Sequence, residues 1–231
     1  MITVNNLIKQ YSDTVVLNIP YLTVPVGESF GLVGNNGAGK TTFFRACLDL
    51  IRPTQGDVTS KDIPVNQTDD WKKYTGSYLD EGFIIDYLKP EEYFDFIGKL
   101  HDMPNDEIDA FINSFLEFFN GEIVGRDKFI RDLSKGNQKK VGIAAALMAN
   151  PEILILDEPF ANLDPSSQIR LKNLLNKIRK ENNVTMLISS HDLSHVTEVC
   201  ERIVILDKGD IVHDLKTGED TLKTLEDYFT L

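Results

Sequence analysis

The sequence predicts an α/β protein with a layered core and a largely parallel sheet. Apolar runs rich in β-branched residues and bounded by turn residues predict strands over residues 2–8, 15–24, 29–33, 76–79, 153–157, 184–189 and 203–206. Several of these runs are continuous rather than alternating, as strands covered on both faces are. Helical patterns separate the later runs, and the order strand, helix, strand favours parallel pairing.

Residues 86–150 break this rhythm and predict consecutive helices. Apolar side chains recur at helical spacing over residues 108–119, which predicts one amphipathic helix there. Within residues 80–132, 14 Asp and Glu and 5 Lys and Arg side chains give a net charge of −9, and the same segment holds 10 of the 21 aromatic residues. We interpret residues 86–150 as a helical insert. Its aromatic side chains either form a core of their own or partly face a partner, and the sequence leaves both alternatives open.

A further helix is predicted over residues 165–180. Asp164 is suited to cap its N-terminus and Pro165 to occupy its first position. The predicted apolar stripe of this helix consists of Ile169, Leu174, Leu175 and Ile178.

Length and charge limit the classes of protein that fit. A chain of 231 residues is within the range of a single α/β domain, so we expect one domain over residues 1–231. Its 24 basic and 36 acidic side chains give a net charge of −12, which disfavours nucleic acid as a partner. No run approaches the ~18–20 apolar residues that a membrane-spanning helix needs, and we expect a cytoplasmic protein.

One glycine-rich motif follows a predicted strand directly. It fits the pattern G-x-x-x-x-G-K-[ST], and a helical run that starts at Thr42 comes after it. In such a loop the backbone N–H groups face phosphate oxygens, the lysine supplies a cation and the hydroxyl supplies an oxygen ligand for Mg²⁺. The motif therefore predicts a nucleoside triphosphate site formed by Gly34, Asn35, Asn36, Gly37, Ala38, Gly39, Lys40 and Thr41.

Two further strands end in polar side chains suited to the same chemistry. Residues 153–156 are apolar and lead into Asp157 and Glu158 at the carboxyl edge of a sheet, where ligands bind in open α/β folds. Asp157 is suited to hold Mg²⁺ together with Thr41, and Glu158 to accept a proton from water. His191 follows another apolar strand and could donate to the γ-phosphate or position the water.

The segment from Leu133 to Gln138 opens a predicted helix that runs to Asn150. Ser134 is free to cap this helix, and the exposed N–H groups of its first turn could bind an anion. On its own this motif is only a helix start.

Taken in order, these motifs resemble the ATP-binding subunit of ABC transporters over essentially the whole chain. The resemblance implies a P-loop NTPase core with a mostly parallel sheet, an N-terminal antiparallel β part and an inserted α-helical subdomain. It assigns residues 1–85 and 151–231 to the α/β core, and residues 86–150 to the insert with the signature motif. By the same resemblance Tyr11 stacks on adenine, His191 is the switch histidine, and Ser134, Gly136 and Asp164 contact nucleotide, as does Thr42.

The resemblance also implies partners and a reaction. Two such subunits pack head to tail, so that the signature motif of one closes over the ATP of the other, in a homodimer or a heterodimer. A permease subunit in the membrane would hold the pair at the inner face, and hydrolysis of ATP to ADP and phosphate would drive transport, with export favoured by the signature and the short C-terminal part. The alternatives are a soluble relative and a nucleotide-gated scaffold that needs no fast hydrolysis.

The sequence departs from the family pattern at two places. The signature reads LSKGNQ, so Lys135 stands where a glycine is commonest, while Ser134 and Gly136 are kept. In the loop after the strand at 76–79 the family usually has a glutamine that contacts Mg²⁺, and this chain has Asp80 and Glu81. We choose Asp80 as the third predicted metal ligand.

Overall fold

The computed structural model describes residues 1–230, apart from the side chain of Glu81. The strands in this part of the chain are β1 (Ile2–Tyr11), β2 (Thr14–Val24), β3 (Ser29–Val33), β4 (Gln55–Ser60), β5 (Ile63–Pro64), β6 (Thr75–Tyr78), β7 (Ile153–Leu156), β8 (Thr185–Ser190), β9 (Arg202–Asp207) and β10 (Asp210–Lys216). The α-helices are α1 (Lys40–Cys47), α2 (Pro90–Leu100), α3 (Asn105–Ser114), α4 (Leu116–Phe119), α5 (Lys135–Leu147), α6 (Pro165–Asn182), α7 (Leu193–Val199) and α8 (Thr221–Thr230).

All ten strands join one mixed sheet in the order β5-β4-β1-β2-β10-β9-β3-β8-β7-β6. Strands β9, β3, β8, β7 and β6 are parallel to their neighbours within this series. Strands β1, β2, β4 and β5 pair antiparallel, as do β9 and β10. The predicted fold class, a largely parallel core with an antiparallel N-terminal part, is confirmed.

The two parts of the sheet meet at a narrow seam between β2 and β10. These strands pair at one register position, Asn18 with Asp210. The Asn18 side chain donates to the Asp210 carboxylate at 2.8 Å, and the Asn18 N–H donates to Gly209 O at 2.8 Å. Gly209 N–H in turn donates to Ala38 O at 3.0 Å, so the seam is joined to the loop that follows β3.

Both faces of the parallel strands are covered, as the continuous apolar runs predict. In β7, Leu154 and Leu156 belong to a cluster under α5, α6 and α7, whereas Ile153 and Ile155 belong to a second cluster that includes the side chains of α1. All four are fully buried. A strand buried on both faces needs apolar residues at every position, and this explains the unbroken run.

Helices α2 to α5 lie between β6 and β7, but the predicted single helix over residues 108–119 is wrong. Helix α3 ends at Ser114 and α4 begins at Leu116. The Ser114 hydroxyl donates to Phe111 O at 2.7 Å, and Phe115 N–H bonds to Ile112 O three residues back. A hydroxyl that competes for a helix carbonyl favours such a break.

The aromatic side chains of this segment divide between the two alternatives left open by the sequence. Five are buried in a shared cluster: Tyr93, Phe94, Phe115, Phe118 and Phe119. Phe94 and Phe119 stack with ring centroids 5.7 Å apart. Four others are exposed to solvent: Phe83, Tyr87, Phe96 and Phe129.

Helix α6 begins as predicted, with Asp164 as N-cap and Pro165 in the first turn. Its buried residues include Leu171 and Leu175, whereas Ile169 is 58% exposed, so the predicted stripe was wrong at Ile169. In the described part of the chain, no helix combines the length and the apolar character that crossing a membrane requires.

Candidate nucleotide-binding and catalytic site

The loop between β3 and α1 is shaped by glycines. Gly39 is the residue before α1 and has φ of 110°, a conformation that side chains disfavour. A Cβ atom at Gly39 would lie 2.8 Å from Val16 O, so the loop and β2 touch through backbone. Asn35, Asn36 and Ala38 belong to this loop, and Thr42 to the first turn of α1.

The Lys40 side chain is buried beneath the loop and is hydrogen-bonded to two of its carbonyl groups. Its side chain is 7% exposed, and its Nζ donates to Gly34 O at 2.6 Å and to Asn35 O at 3.4 Å. No acidic residue occupies the first turn of α1, and no side chain caps it. A buried ammonium beside uncapped helix N–H groups forms a site suited to phosphate oxygens.

Thr41 and Asp157 meet at the end of β7. The Thr41 hydroxyl donates to one carboxylate oxygen of Asp157 at 2.5 Å, and the Ser189 hydroxyl donates to the other. Asp157 is buried, and burial raises the pKa of its carboxyl group against the opposing effect of the two hydroxyls. A buried carboxylate and a hydroxyl are oxygen ligands that Mg²⁺ prefers, so these two residues fit the predicted metal.

Glu158 lies between the other two predicted catalytic residues. One of its carboxylate oxygens is 3.4 Å from Lys40 Nζ, and the other is 2.8 Å from His191 Nδ1. His191 N–H also faces the second oxygen at 3.3 Å. The structure thus brings Glu158, Lys40 and His191 together at the carboxyl edge of the sheet.

Asp80 and Tyr11 have no described contact with the residues at the carboxyl edge of the sheet. Asp80 pairs with Arg45 at 3.7 Å and accepts from Gly82 N–H at 2.7 Å; within the described residues its polar contacts do not include Thr41 or Asp157. The side chain of Glu81, the alternative at this place, is outside the described residues. Tyr11 ends β1 and is half exposed, with Lys9 Nζ 4.7 Å from the centre of its ring.

Three residues predicted to contact nucleotide lie at the starts of helices: Ser134 and Gly136 at α5, and Asp164 at α6. The side chains of Ser134 and Asp164 form hydrogen bonds within the first turns of these helices. Ser134 Oγ accepts from Asn137 N–H at 3.2 Å and caps α5. The Asp164 carboxylate caps α6 through Ser167 N–H at 3.0 Å and accepts from the Ser166 and Ser167 hydroxyls. These hydrogen bonds hold the pKa of Asp164 well below its usual range.

Two residues in contact with the site were missed by the sequence analysis. Ser189 bonds to Asp157 and accepts from Glu158 N–H at 2.9 Å. Its place two residues before His191, at the end of β8, a strand adjacent to β7, was a usable signal. Lys139 Nζ donates to Glu158 O at 2.7 Å, and nothing in its spacing indicated this contact.

A comparison with known families decides the identity of this fold and site. The model of the ABC transporter family matches residues 17–161. The chain belongs to the ABC transporter family. As an ATP-binding chain of that family it is an ATPase, and the predicted resemblance is confirmed.

Named relatives of this ABC transporter chain include ATP-binding proteins of different systems. An uncharacterized ABC transporter ATP-binding protein, YhaQ of Bacillus subtilis (strain 168), is 36% identical over 90% of this chain and 69% of its own. The bacitracin transport ATP-binding protein BcrA of Enterococcus faecalis is 34% identical over 95% of this chain and 70% of its own. The methionine import ATP-binding protein MetN 1 of Bacillus thuringiensis subsp. konkukian (strain 97-27) is 33% identical over 94% of this chain and 66% of its own.

Solved ABC cassettes share the architecture. The dimeric post-hydrolysis structure of the ATP-binding cassette MJ0796, bound to ADP and Pi, has a TM-score of 0.84 and 26% identity, covering 95% of this chain and all of that one. The structure of cbiO1 from Clostridium perfringens, part of the ABC transporter complex cbiONQ, has a TM-score of 0.79 and 25% identity, with 99% and 92% covered.

Proposed function

We propose that this ATPase binds ATP with Mg²⁺ and hydrolyses it to drive transport, as a subunit held at the inner, cytoplasmic face of a membrane by a permease. The observation that carries the proposal is the position of Glu158, which lies between Lys40 and His191 beside the Thr41–Asp157 pair. One edge of the sheet thus offers a phosphate cation, a metal ligand pair and a base.

Each residue has a role that its contacts support. Lys40 and the loop N–H groups bind the β- and γ-phosphates. Thr41 and Asp157 would hold Mg²⁺, which would supply positive charge that stabilises the phosphate groups. Glu158 accepts the proton of the attacking water, and His191, which is hydrogen-bonded to it, orients that carboxylate and steadies the γ-phosphate.

The ion pair between Lys40 and Glu158 also indicates an order of events. Lys40 Nζ is 3.4 Å from Glu158 Oε1 and donates to two loop carbonyls. Phosphate oxygens compete for the same ammonium, so that their binding draws Lys40 away from Glu158. The carboxylate is then free to accept a proton from water.

The site is completed by a second subunit, in a homodimer or heterodimer. Ser134 and Gly136 lie at the N-terminus of α5, a helix of 13 residues with no acidic side chain in its first turn. Because such a helix start favours anions, these two residues contact the ATP of the partner subunit. Asp164 and Tyr11 complete the nucleotide contacts, and Asp80 is the third metal ligand. The dimeric MJ0796 cassette supports this arrangement.

The permease binds the inserted subdomain, residues 86–150, and the loop before it, while residues 1–85 and 151–231 form the nucleotide-binding core. The exposed aromatic side chains near β6 support this assignment. Export remains the predicted direction; the relatives named above include one for bacitracin transport and one for methionine import, so similarity to them does not set it.

The variant Glu158→Gln tests the reaction. Removal of a general base typically costs ~10²- to 10⁴-fold in rate, so turnover of ATP by the purified chain should fall by about that factor. ATP binding should persist, and the ATP-bound dimer should accumulate in size-exclusion chromatography.

The matched control is Glu152→Gln. Glu152 lies just before β7, at the opposite end from Glu158, and pairs with Lys61 at 2.7 Å. The Glu152→Gln variant should hydrolyse ATP at the rate of the wild type. Near-normal hydrolysis by Glu158→Gln would remove Glu158 from the mechanism, and a wild type that binds ATP but hydrolyses none would indicate a nucleotide-gated scaffold.

A further inference from the structure

Lys139 is a buried lysine on α5 that the reaction as described does not use. Its side chain is 5% exposed, and its Nζ donates to the backbone carbonyl of Glu158 at 2.7 Å. The ammonium also lies 5.8 Å from the centre of the Tyr78 ring. An ammonium is rarely taken out of water without hydrogen-bond partners, and the backbone carbonyl of the proposed base is one of them here.

The backbone of Glu158 needs support. Its φ is 48°, in the left-handed region that non-glycine residues seldom occupy. Such a conformation persists where the surroundings hold it, and it is found often at active sites. Two side chains hold it here, because Ser189 Oγ accepts from the Glu158 N–H and Lys139 donates to the Glu158 C=O.

The first turn of α5 meets the same segment at a second point. A Cβ atom at Gly136 would lie 2.7 Å from Asn162 O, so the helix backbone packs directly on the turn that follows Glu158. Asn162 also has positive φ, 63°. Ser134, Gly136 and Lys139 belong to one helix start, so a displacement of that helix would reach Glu158 through Lys139.

We propose that Lys139 is a positioning residue that fixes the Glu158 backbone and joins it to the helix start which contacts the partner's ATP. The proposal rests on the proposed function of Glu158. In a dimer, it links ATP bound at the signature of one subunit to the base of the same subunit.

Four variants of the full chain test this role. Lys139→Met removes the cation and keeps an apolar stem of similar length, Lys139→Gln is the second removal variant, and Lys139→Arg restores a donor. The control is Lys140→Met: Lys140 is the adjacent lysine, 1% exposed, and its ion pair is with Glu122 at 3.8 Å.

In Lys139→Met and Lys139→Gln, kcat should fall ~10- to 100-fold while Kd for ATP stays within about 2-fold, because positioning and not binding is lost. Lys139→Arg should recover most of the rate. Hydrogen exchange of the peptide spanning residues 157–163, measured by mass spectrometry without nucleotide, should speed up in the removal variants only. Lys140→Met should match the wild type in all three measurements.

The proposal is overturned if the removal variants keep wild-type kcat, if Lys139→Arg loses as much rate as Lys139→Met, or if the removal variants leave hydrogen exchange over residues 157–163 unchanged. A wild type without ATP hydrolysis would instead refute the proposed function. The exchange measurement uses the protein without nucleotide. It therefore tests whether Lys139 supports the Glu158 backbone whether or not the wild type hydrolyses ATP.

Discussion

At the scale of single residues, Asp157 is a buried carboxyl group at the centre of the proposed site. Its two hydrogen bonds come from neutral hydroxyls, and burial raises its pKa. A carboxyl whose folded pKa is raised contributes stability below its unfolded pKa, 3.8, and loses that contribution as pH rises through the folded pKa. At neutral pH the ionised group therefore lowers the stability of the empty protein.

We expect Asp157→Asn to stabilise the protein that lacks metal and nucleotide. The gain at pH 7 should be on the order of 1 kcal/mol, or about 2–4 °C in Tm for a chain of this size, because a buried charge becomes a neutral amide. The gain should shrink as pH falls toward 4. Thermal unfolding between pH 4.5 and 7.5 measures it, with the exposed Asp109→Asn as control. A variant that is less stable at pH 7 would contradict this account.

Asp80, whose carboxylate is 3.7 Å from the Arg45 guanidinium, is predicted to be a further anion at the nucleotide site. Close to the triphosphate it would repel the phosphates, and the metal has to offset that repulsion. In Asp80→Gln we expect ATP binding to depend less on magnesium. Titrations of ATP binding at several Mg²⁺ concentrations measure this, with exposed Asp86→Asn as control. An unaltered magnesium dependence would exclude the role predicted for Asp80.

At the scale of elements, α6 depends on its cap. The Asp164 carboxylate accepts hydrogen bonds from one backbone N–H and two hydroxyls, and these bonds lower its pKa. Its contribution to the stability of the folded protein is therefore present above its unfolded pKa, 3.8, and is lost as pH falls through the folded pKa. Asp164→Ala should cost about 1 kcal/mol at pH 7. Asp164→Asn should retain most of the stability, because Asn also caps. Chemical denaturation compares them, and an alanine variant as stable as the wild type would contradict the cap's importance.

Elements were predictable where one physical signal dominated. The apolar runs of β3, β7 and β8 and the cap of α6 could be found because burial on both faces and a capping side chain leave clear patterns. Strand β4 has Val58 as its main apolar residue and β10 is mostly exposed, so neither shows a strand pattern. The end of α3 coincides with the hydrogen bond from the Ser114 hydroxyl to Phe111 O, which the spacing of apolar residues does not reveal.

The site divides in the same way. Lys40 and Thr41 were predictable from the glycine-rich motif after β3, and Asp157, Glu158 and His191 because each follows an apolar strand at one edge of the sheet. Lys139 could not be found, since its contact joins α5 to a turn that only the packing of the helices on the sheet brings near. The hydrogen bonds that occupy Asp164 likewise depend on the start of α6.

At the scale of the whole molecule, the exposed aromatics near β6 predict where a membrane partner binds. Phe83 is 55% exposed and lines clefts on both sides of β6, the edge strand of the sheet. Phe83→Ser should weaken co-purification of the permease while ATP binding by the isolated subunit is unchanged. Tyr21→Ser, at an exposed aromatic on β2, is the control. Full retention of the complex by the Phe83 variant, or equal loss in both variants, would contradict this assignment.

The seam between β2 and β10 has a consequence for how the chain unfolds. The antiparallel part and the parallel part share one register pair, and the hydrogen bond from Gly209 to Ala38 links that junction to the phosphate loop. A ligand that orders the loop therefore also strengthens the cohesion of the two parts. Because both parts also contribute to one apolar cluster, we expect nucleotide to raise the melting temperature of the protein as a whole.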